Sequence, residues 1–197
     1  MDITEAKKKC RAEAMGRRDA VYKASGAEAG ERLARNVLDT ELIRPGDVVS
    51  GFWPMGAEID LRPLLTTLSE RGVTCVLPVV KKKDAPLVFR EWRPDTEMCA
   101  AGFGTKEPPP DAPEHAPTVV LAPLLAFDKE GFRIGYGGGY YDRTLAMLRA
   151  GGSVTVIGVA YAAQELEAVP RDGYDQPLDW IVTEAGARKF NRMAGPA

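Results

Sequence analysis

Hydrophobic and polar positions alternate along the chain in blocks that read as a succession of helices and strands. Residues 3–23 are rich in Ala, Lys, Arg and Glu and predict a helix. Residues 27–43, with Leu33, Val37 and Leu38 on one face, predict a second. The segment RPGD at 44–47 breaks that pattern, and the apolar VVSGFWP at 48–54 predicts a buried strand. Asp60 is placed to cap a helix that carries Leu61, Leu64, Leu65 and Leu68 and stops at Gly72. Residues 73–80 and 87–92 predict two further strands, joined as a hairpin across the charged turn KKKDAP. The triple lysine there reads as a solvated turn in preference to a phosphate site.

Between 104 and 117 lie five prolines, in EPPPDAPEHAP, which predicts an extended surface connection. The single histidine, His115, falls in this polar stretch and is not a catalytic candidate. TVVLAPLLAF at 118–127 is apolar enough for a central strand. YYDRTLAMLRAG then places Tyr141, Leu145 and Leu148 at helical spacing before Gly151, and VTVIGVAY at 154–161 is the strand beyond. Strand, glycine loop, helix and strand make a βαβ unit. The glycines should therefore lie at the carboxyl end of a parallel strand, where α/β proteins bind ligands.

Composition narrows the classes. The 197 residues, 45% hydrophobic, suffice for one domain, with two closely packed lobes as the alternative. With 26 Lys and Arg against 28 Asp and Glu, the formal charge of -2 points to neither a general nucleic-acid nor an anionic-membrane binder, so any anion site is local. The charged N-terminus, MDITEAKKKCRAEAM, has no apolar signal region, and no run approaches membrane-spanning length; a cytoplasmic protein is expected. Cys10, Cys75 and Cys99 lack a C-x-x-C pattern and read as ordinary thiols.

The candidate chemistry sits in GFRIGYGGGYYDR, residues 131–143. Glycines let backbone N–H groups approach a ligand, and the following helix offers its positive end. The stretch matches neither G-x-x-x-x-G-K-[ST] nor the Rossmann fingerprint, since Tyr140 occupies the latter's last glycine position. Taken alone, it could equally be a structural turn. Arg133 and Arg143 flank it, however, and Asp142 is near enough to hold a hard cation such as Mg²⁺. Without a plausible catalytic His or Cys, phosphoryl transfer is the chemistry best suited to these groups.

The stretch FDKEGFRIGYGGGYYDR resembles the signature of 5-formyltetrahydrofolate cyclo-ligases. AKKKCR, GFWPMGAEIDLRPLL, FGTKEP and VPRDGYDQPLDWIVTE resemble that family's other blocks and occur in its order, so the resemblance runs from about residue 6 to about residue 184. It implies ATP-dependent closure of 5-formyltetrahydrofolate to 5,10-methenyltetrahydrofolate with release of ADP and phosphate, by a single domain over residues 1–197, expected to act as a monomer. It also implies an α/β three-layer sandwich with a mainly parallel central sheet, similar to sugar-phosphate isomerases and CoA transferases.

Residue roles follow from the resemblance alone. Lys7 and Arg11 match the basic pair that touches ATP phosphates, and their spacing puts both on one helix face. Arg133 matches a nucleotide-binding arginine. Tyr136, Gly137, Gly138, Gly139 and Tyr140 match the loop where ATP phosphates and the formyl group meet. Arg133, Tyr140 and Asp142 are the implied catalytic set, and Asp142 and Asp175 match the Mg²⁺ carboxylates. Glu58 matches a folate-binding glutamate, and Trp53, with Tyr140, falls at a substrate contact. Relatives carry basic residues within the loop where this chain has Tyr136 and Gly138, so a loop cation would have to come from Arg133 or Arg143. Two other readings remain at this stage. A sugar-phosphate isomerase of similar architecture would need neither ATP nor Mg²⁺ and is disfavoured by Lys7, Arg11 and the Glu58 block. A protein that sequesters the folate without turnover is disfavoured by the full set of ATP and metal positions.

Overall fold

The computed structural model describes residues 2–191. Its first element corrects the expectation of two helices, because Ile3–Leu38 forms a single helix, α1. Gly26 and Gly30 do not interrupt it; they allow close packing. A Cβ on Gly26 would lie 2.6 Å from the Tyr22 ring, and one on Gly30 would lie 2.5 Å from the carbonyl oxygen of Asp60. The helix stops at Leu38, short of residue 43, where the Asp39 N–H donates to the Arg35 carbonyl and the Thr40 N–H to the Val37 carbonyl.

The remaining elements are β1 (Val48–Ser50), α2 (Arg62–Glu70), β2 (Thr74–Val79), β3 (Val88–Trp92), β4 (Cys99–Ala100), β5 (Lys106–Glu107), β6 (Val119–Pro123), β7 (Ala126–Phe127), β8 (Arg133–Ile134), α3 (Tyr140–Gly151), β9 (Thr155–Val159), β10 (Trp180–Thr183) and β11 (Gly186–Lys189). Asp60 does not cap α2 as expected: Leu61 is the residue that precedes the helix, without a side-chain cap, and Asp60 stands one position earlier, its Oδ1 accepting the Arg62 N–H at 2.9 Å. The hairpin forms in antiparallel register from Cys75↔Trp92 to Val79↔Val88. The proline-rich connection carries β5, which pairs with β4, and His115 Nε2 rests 3.1 Å from Glu91 Oε2. The apolar run at 118–127 is not one strand. It divides after Pro123, and its second half turns out of the sheet to pair with β8. The carbonyls freed at Leu124 and Leu125 each accept from the buried Gln164 side chain at 2.9 Å.

Seven strands form one sheet in the order β11-β10-β9-β6-β1-β2-β3. Pairings among β10, β9, β6, β1 and β2 are parallel, and only the edges are antiparallel. Alternate side chains of β6 divide the core. Val119 and Leu121 pack with Leu33 and Val37 of α1 and Leu64, Leu65 and Leu68 of α2. Val120 and Ala122 pack on the opposite face with Leu145 of α3, Leu178 and Phe190. Helices therefore cover both faces of a largely parallel sheet. All three cysteines are free, Cys75 buried and Cys99 exposed. Among the described residues, no helix is long and apolar enough to cross a membrane.

The strand order locates a crevice. Neighbouring β1 and β6 leave the sheet in opposite directions, β1 towards β2 through α2 and β6 towards β9 through α3. Their carboxyl ends mark a topological switch point, where the connecting segments part and open α/β sheets bind ligands.

Candidate active site

Two loops meet at this crevice. The one after β1 carries Trp53 and Glu58, and the one after the β7–β8 hairpin carries the glycines. The amino-terminal half of α1 lies against both. The glycine loop needs its glycines at particular points. Gly137 has φ 97°, and Gly139, the residue that precedes α3, has φ 64°. Both are left-handed backbone conformations that other residues adopt at a cost.

Basic side chains hold this loop from the flanking helices. Arg11 Nε donates to the Gly135 carbonyl at 2.9 Å, and a Cβ on Gly137 would lie 3.1 Å from the Arg11 guanidinium carbon. From α3, Arg143 donates to the Gly138 carbonyl at 2.7 Å and lies over the Tyr140 ring at 5.1 Å. The Tyr140 ring itself stands beside Gly138, where an added Cβ would come within 2.9 Å of it.

The two candidate metal carboxylates, distant in sequence, both reach the segment 172–176. Asp142 Oδ1 accepts from Arg133 at 2.8 Å and from the Gln176 N–H at 3.1 Å. Arg133, only 7% exposed, also donates to the Gln176 carbonyl at 2.5 Å. Asp175 Oδ2 accepts from Lys7 Nζ at 2.6 Å and from the Asp172 N–H at 2.7 Å. Lys7 also meets Asp172 at 2.8 Å. Burial works against the Lys7 ammonium, but bonds to Asp172 and Asp175 outweigh it and raise the Lys7 pKa. The hydrogen bond from Lys7 in turn holds Asp172 below the usual carboxylate range. Among the described residues no group of three or more His, Cys, Asp or Glu could form a metal cage. Two carboxylates are nevertheless the protein share that Mg²⁺ takes when phosphate oxygens and water complete its octahedron, so the donor set fits a nucleotide-bound Mg²⁺.

Glu58 is 5% exposed. Its Oε2 accepts the Met55 N–H at 2.8 Å and its Oε1 the Tyr136 hydroxyl at 2.9 Å. Burial pushes the Glu58 pKa up, a shift that the Met55 N–H, Tyr136 and the Arg18 charge reduce without cancelling. Burial and the neighbouring Glu58 push the Tyr136 phenol up to about 12. Beside Glu58 opens a cavity of about 660 Å³ whose walls include Trp53, Tyr22, Arg32 and Asp60. Two cations lie over the Trp53 ring, Arg62 5.5 Å and Lys106 5.8 Å from its centre.

The structure thus gathers Lys7, Arg11, Arg133, Asp142, Asp175 and residues 136–140 at one end of the crevice, with Glu58 and Trp53 at the other. Tyr136 links the two groups. Arg18 and Asp172 escaped the sequence reading. Arg18 shares the helix face of Lys7 and Arg11 by its spacing, and Asp172 stands three residues before Asp175 in the same block. Arg18 donates to the Tyr136 hydroxyl.

Comparison with known proteins agrees over most of the chain. The profile of the 5-formyltetrahydrofolate cyclo-ligase family matches residues 3–184. A 5-formyltetrahydrofolate cyclo-ligase of Mycolicibacterium smegmatis is 36% identical over 146 residues, covering 70% of this chain and 74% of that one. The Escherichia coli K12 protein of that name is 31% identical over 172 residues, covering 85% and 94%. The NMR structure of Aquifex aeolicus 5,10-methenyltetrahydrofolate synthetase superposes with a TM-score of 0.80 at 26% identity, covering 97% of this chain and 96% of that one.

Proposed function

This chain belongs to the 5-formyltetrahydrofolate cyclo-ligase family, and we propose that the switch-point crevice is where it carries out that family's reaction. The reaction is the ATP-dependent conversion of 5-formyltetrahydrofolate to 5,10-methenyltetrahydrofolate, with release of ADP and phosphate. The observation that carries the assignment is the convergence of Lys7, Arg11 and the glycine loop with buried Glu58 on one crevice, joined through Tyr136.

Glu58 accepts hydrogen bonds from the pterin N–H donors, and Trp53 forms part of the wall beside it. ATP phosphates lie along the glycine loop, faced by Lys7 and Arg11 and by the backbone N–H groups of residues 136–140. Gly137, Gly138 and Gly139 leave the space that a phosphate needs, and Tyr140 stands where the formyl group meets the γ-phosphate. The formyl oxygen attacks the γ-phosphorus and ADP leaves. Nitrogen 10 then attacks the activated carbon, and the C–O bond to phosphate breaks as the ring closes. No protein nucleophile is needed, so catalysis rests on positioning and charge. Asp142 and Asp175 are the residues that would hold Mg²⁺, which when bound neutralises charge on the phosphates. Arg133 fixes the orientation of Asp142. In this reading the chain is a single domain that acts as a cytoplasmic monomer. Its fold is a three-layer sandwich of the sugar-phosphate isomerase and CoA transferase type, a reading supported by helices on both faces of the sheet.

The test is to mix the purified chain with 5-formyltetrahydrofolate, Mg²⁺ and ATP, and to follow methenyltetrahydrofolate by absorbance together with ADP release. Both products should appear in equal amounts and only with ATP. Folate binding without ATP-dependent product from folded protein overturns the catalytic reading.

A further inference from the structure

We propose that Arg18 is a positioning residue of the folate end of the crevice, fixing the direction of the hydrogen-bond chain Arg18–Tyr136–Glu58 so that Glu58 meets the substrate as a charged acceptor. The proposal rests on the reading of Glu58 as a folate contact.

Arg18 is an unusual arginine for a helix surface. It is 5% exposed, and a buried guanidinium is costly unless it is well paired. Its carboxylate neighbour is Asp19, 3.8 Å away on a side chain that is 54% exposed, which is a weak partner. Its NH1 is instead given to a neutral phenol, and its Nε is buried without a hydrogen-bond partner among the described residues. Packing alone does not explain a charge kept in such a place. The group it reaches does.

An arginine can only donate. The Tyr136 oxygen therefore accepts from Arg18, and its single proton must point away, to Glu58 Oε1 at 2.9 Å. Glu58 then receives one donor on each oxygen, Tyr136 on Oε1 and the Met55 N–H on Oε2. A carboxylate oxygen has two acceptor positions, so both retain capacity for N–H donors of a ligand. Without Arg18 the direction becomes reversible: the buried carboxyl could take up a proton and donate it to Tyr136, and would then be a poorer acceptor. The groups whose charge or hydrogen bond acts on Glu58 are Arg18 from α1, Tyr136 from the glycine loop and, at longer range, Tyr141 from α3, while Lys23, Glu28 and Arg32 of α1, with Asp60 and Arg62, line the cavity beside it. Among these cations Arg18 is the one whose hydrogen bond to Tyr136 sets the direction of the chain, so the task falls to it. The same chain couples the two halves of the crevice, since Tyr136 belongs to the loop assigned to ATP.

Arg18→Met removes the charge and keeps most of the side-chain volume. Binding of 5-formyltetrahydrofolate without ATP, the KM of each substrate and thermal unfolding are measured on it, on Glu58→Gln and on the double variant. Losing one charge-assisted link should weaken folate binding about tenfold in Arg18→Met, with the KM for ATP changed less than about twofold. In the Glu58→Gln background the same substitution should add less than about twofold, because the residue it acts through is already neutral. An undiminished effect in that background, or equal effects on both substrates, overturns the proposal. If Arg18→Met does not fold, Tyr136→Phe cuts the chain from an exposed loop and must reproduce the folate-selective loss; unchanged folate binding in that variant overturns it equally. A wild-type chain that does not bind 5-formyltetrahydrofolate removes the underlying reading, a result distinct from a wild type that binds and an Arg18 variant that binds as well.

Discussion

Gly137→Ala separates a ligand-binding role for the glycine loop from a purely structural one. The backbone at Gly137 has φ 97°, where an L-residue costs about 1–2 kcal/mol. The new methyl would also stand 3.1 Å from the Arg11 guanidinium carbon and 3.2 Å from its Nε, closer than ordinary contact. Arg11 must then move, and its 2.9 Å bond to the Gly135 carbonyl loosens. Gly137 is on the surface, so the loop can relax locally and the core strands are untouched. The melting temperature should therefore fall by no more than the roughly 2–8 °C that 1–2 kcal/mol represents in a domain of this size. The effect on ATP should be larger, because both the space beside Gly137 and the position of Arg11 are lost: the KM for ATP should rise about tenfold or more, the equivalent of about 1.4 kcal/mol. Folate binding without ATP should remain within about twofold. Calorimetry and steady-state kinetics on one preparation decide the matter. A lowered melting temperature with unchanged ATP kinetics would refute the reasoning and leave the glycines as turn formers.

Three further outcomes follow from the same geometry. Lys7→Ala combined with Arg11→Ala should raise the KM for ATP far more than that for folate, each lost charged contact being worth about 1.5–3 kcal/mol; a parallel rise in both constants would count against phosphate contacts. Glu58→Gln should weaken folate binding and leave ATP affinity unchanged. Because burial raises the Glu58 pKa, wild-type folate affinity should fall with decreasing pH from above the ordinary glutamate range, and a variant that retains this acid limb would exclude Glu58 as its source. Stability has the opposite sign: the folded chain holds this proton more firmly than the unfolded chain, so the contribution of Glu58 declines as pH rises from the ordinary glutamate value to the raised one. Asp142→Asn and Asp175→Asn should each shift a Mg²⁺ titration of turnover to higher concentration while folate binding without ATP is unchanged. Only Asp142→Asn should lose appreciable stability, about 1–3 kcal/mol, because Arg133 is buried whereas Lys7 keeps Asp172; a wild-type titration removes that residue from the metal site.

Much of the fold was legible because period and punctuation agreed. The segment YYDRTLAMLRAG forms α3 over its whole length, and the charged turn between two β-rich runs forms the expected hairpin. The misreadings share one physical cause, that residues taken as local signals answer to distant partners. The gap expected between residues 23 and 27 lies inside α1, where Gly26 sits against the Tyr22 ring and, a turn later, Gly30 lets the helix approach the Asp60 carbonyl. The run at 118–127 read as one strand, although Pro123 has no N–H to continue a ladder and Gln164 stands ready for the carbonyls beyond it. At the site, Lys7, Arg11, Glu58 and the loop were legible through the family blocks. Arg18 was not, since its meaning lies in a tyrosine 118 positions away.

The source of the loop cation can be decided by asking which arginines are free to exchange partners. Arg133 was an equal candidate with Arg143 on sequence. It is 7% exposed and held by the Asp142 carboxylate and the Gln176 carbonyl, so turning it towards a phosphate would strand a buried carboxylate. Arg143 and Arg11 are held differently. Each rests on a neutral carbonyl of the loop itself, Gly138 and Gly135, and Arg143 keeps a buried Nε without a partner among the described residues. A phosphate oxygen is a stronger acceptor for a guanidinium than a peptide carbonyl, because it adds the attraction of a full opposite charge and can be met by two parallel N–H groups. Exchange of carbonyl for phosphate is therefore favourable at Arg11 and Arg143 and unfavourable at Arg133. Positive charge for a phosphate on the loop is thus available from the two helices that grip it, through Arg11 and Arg143.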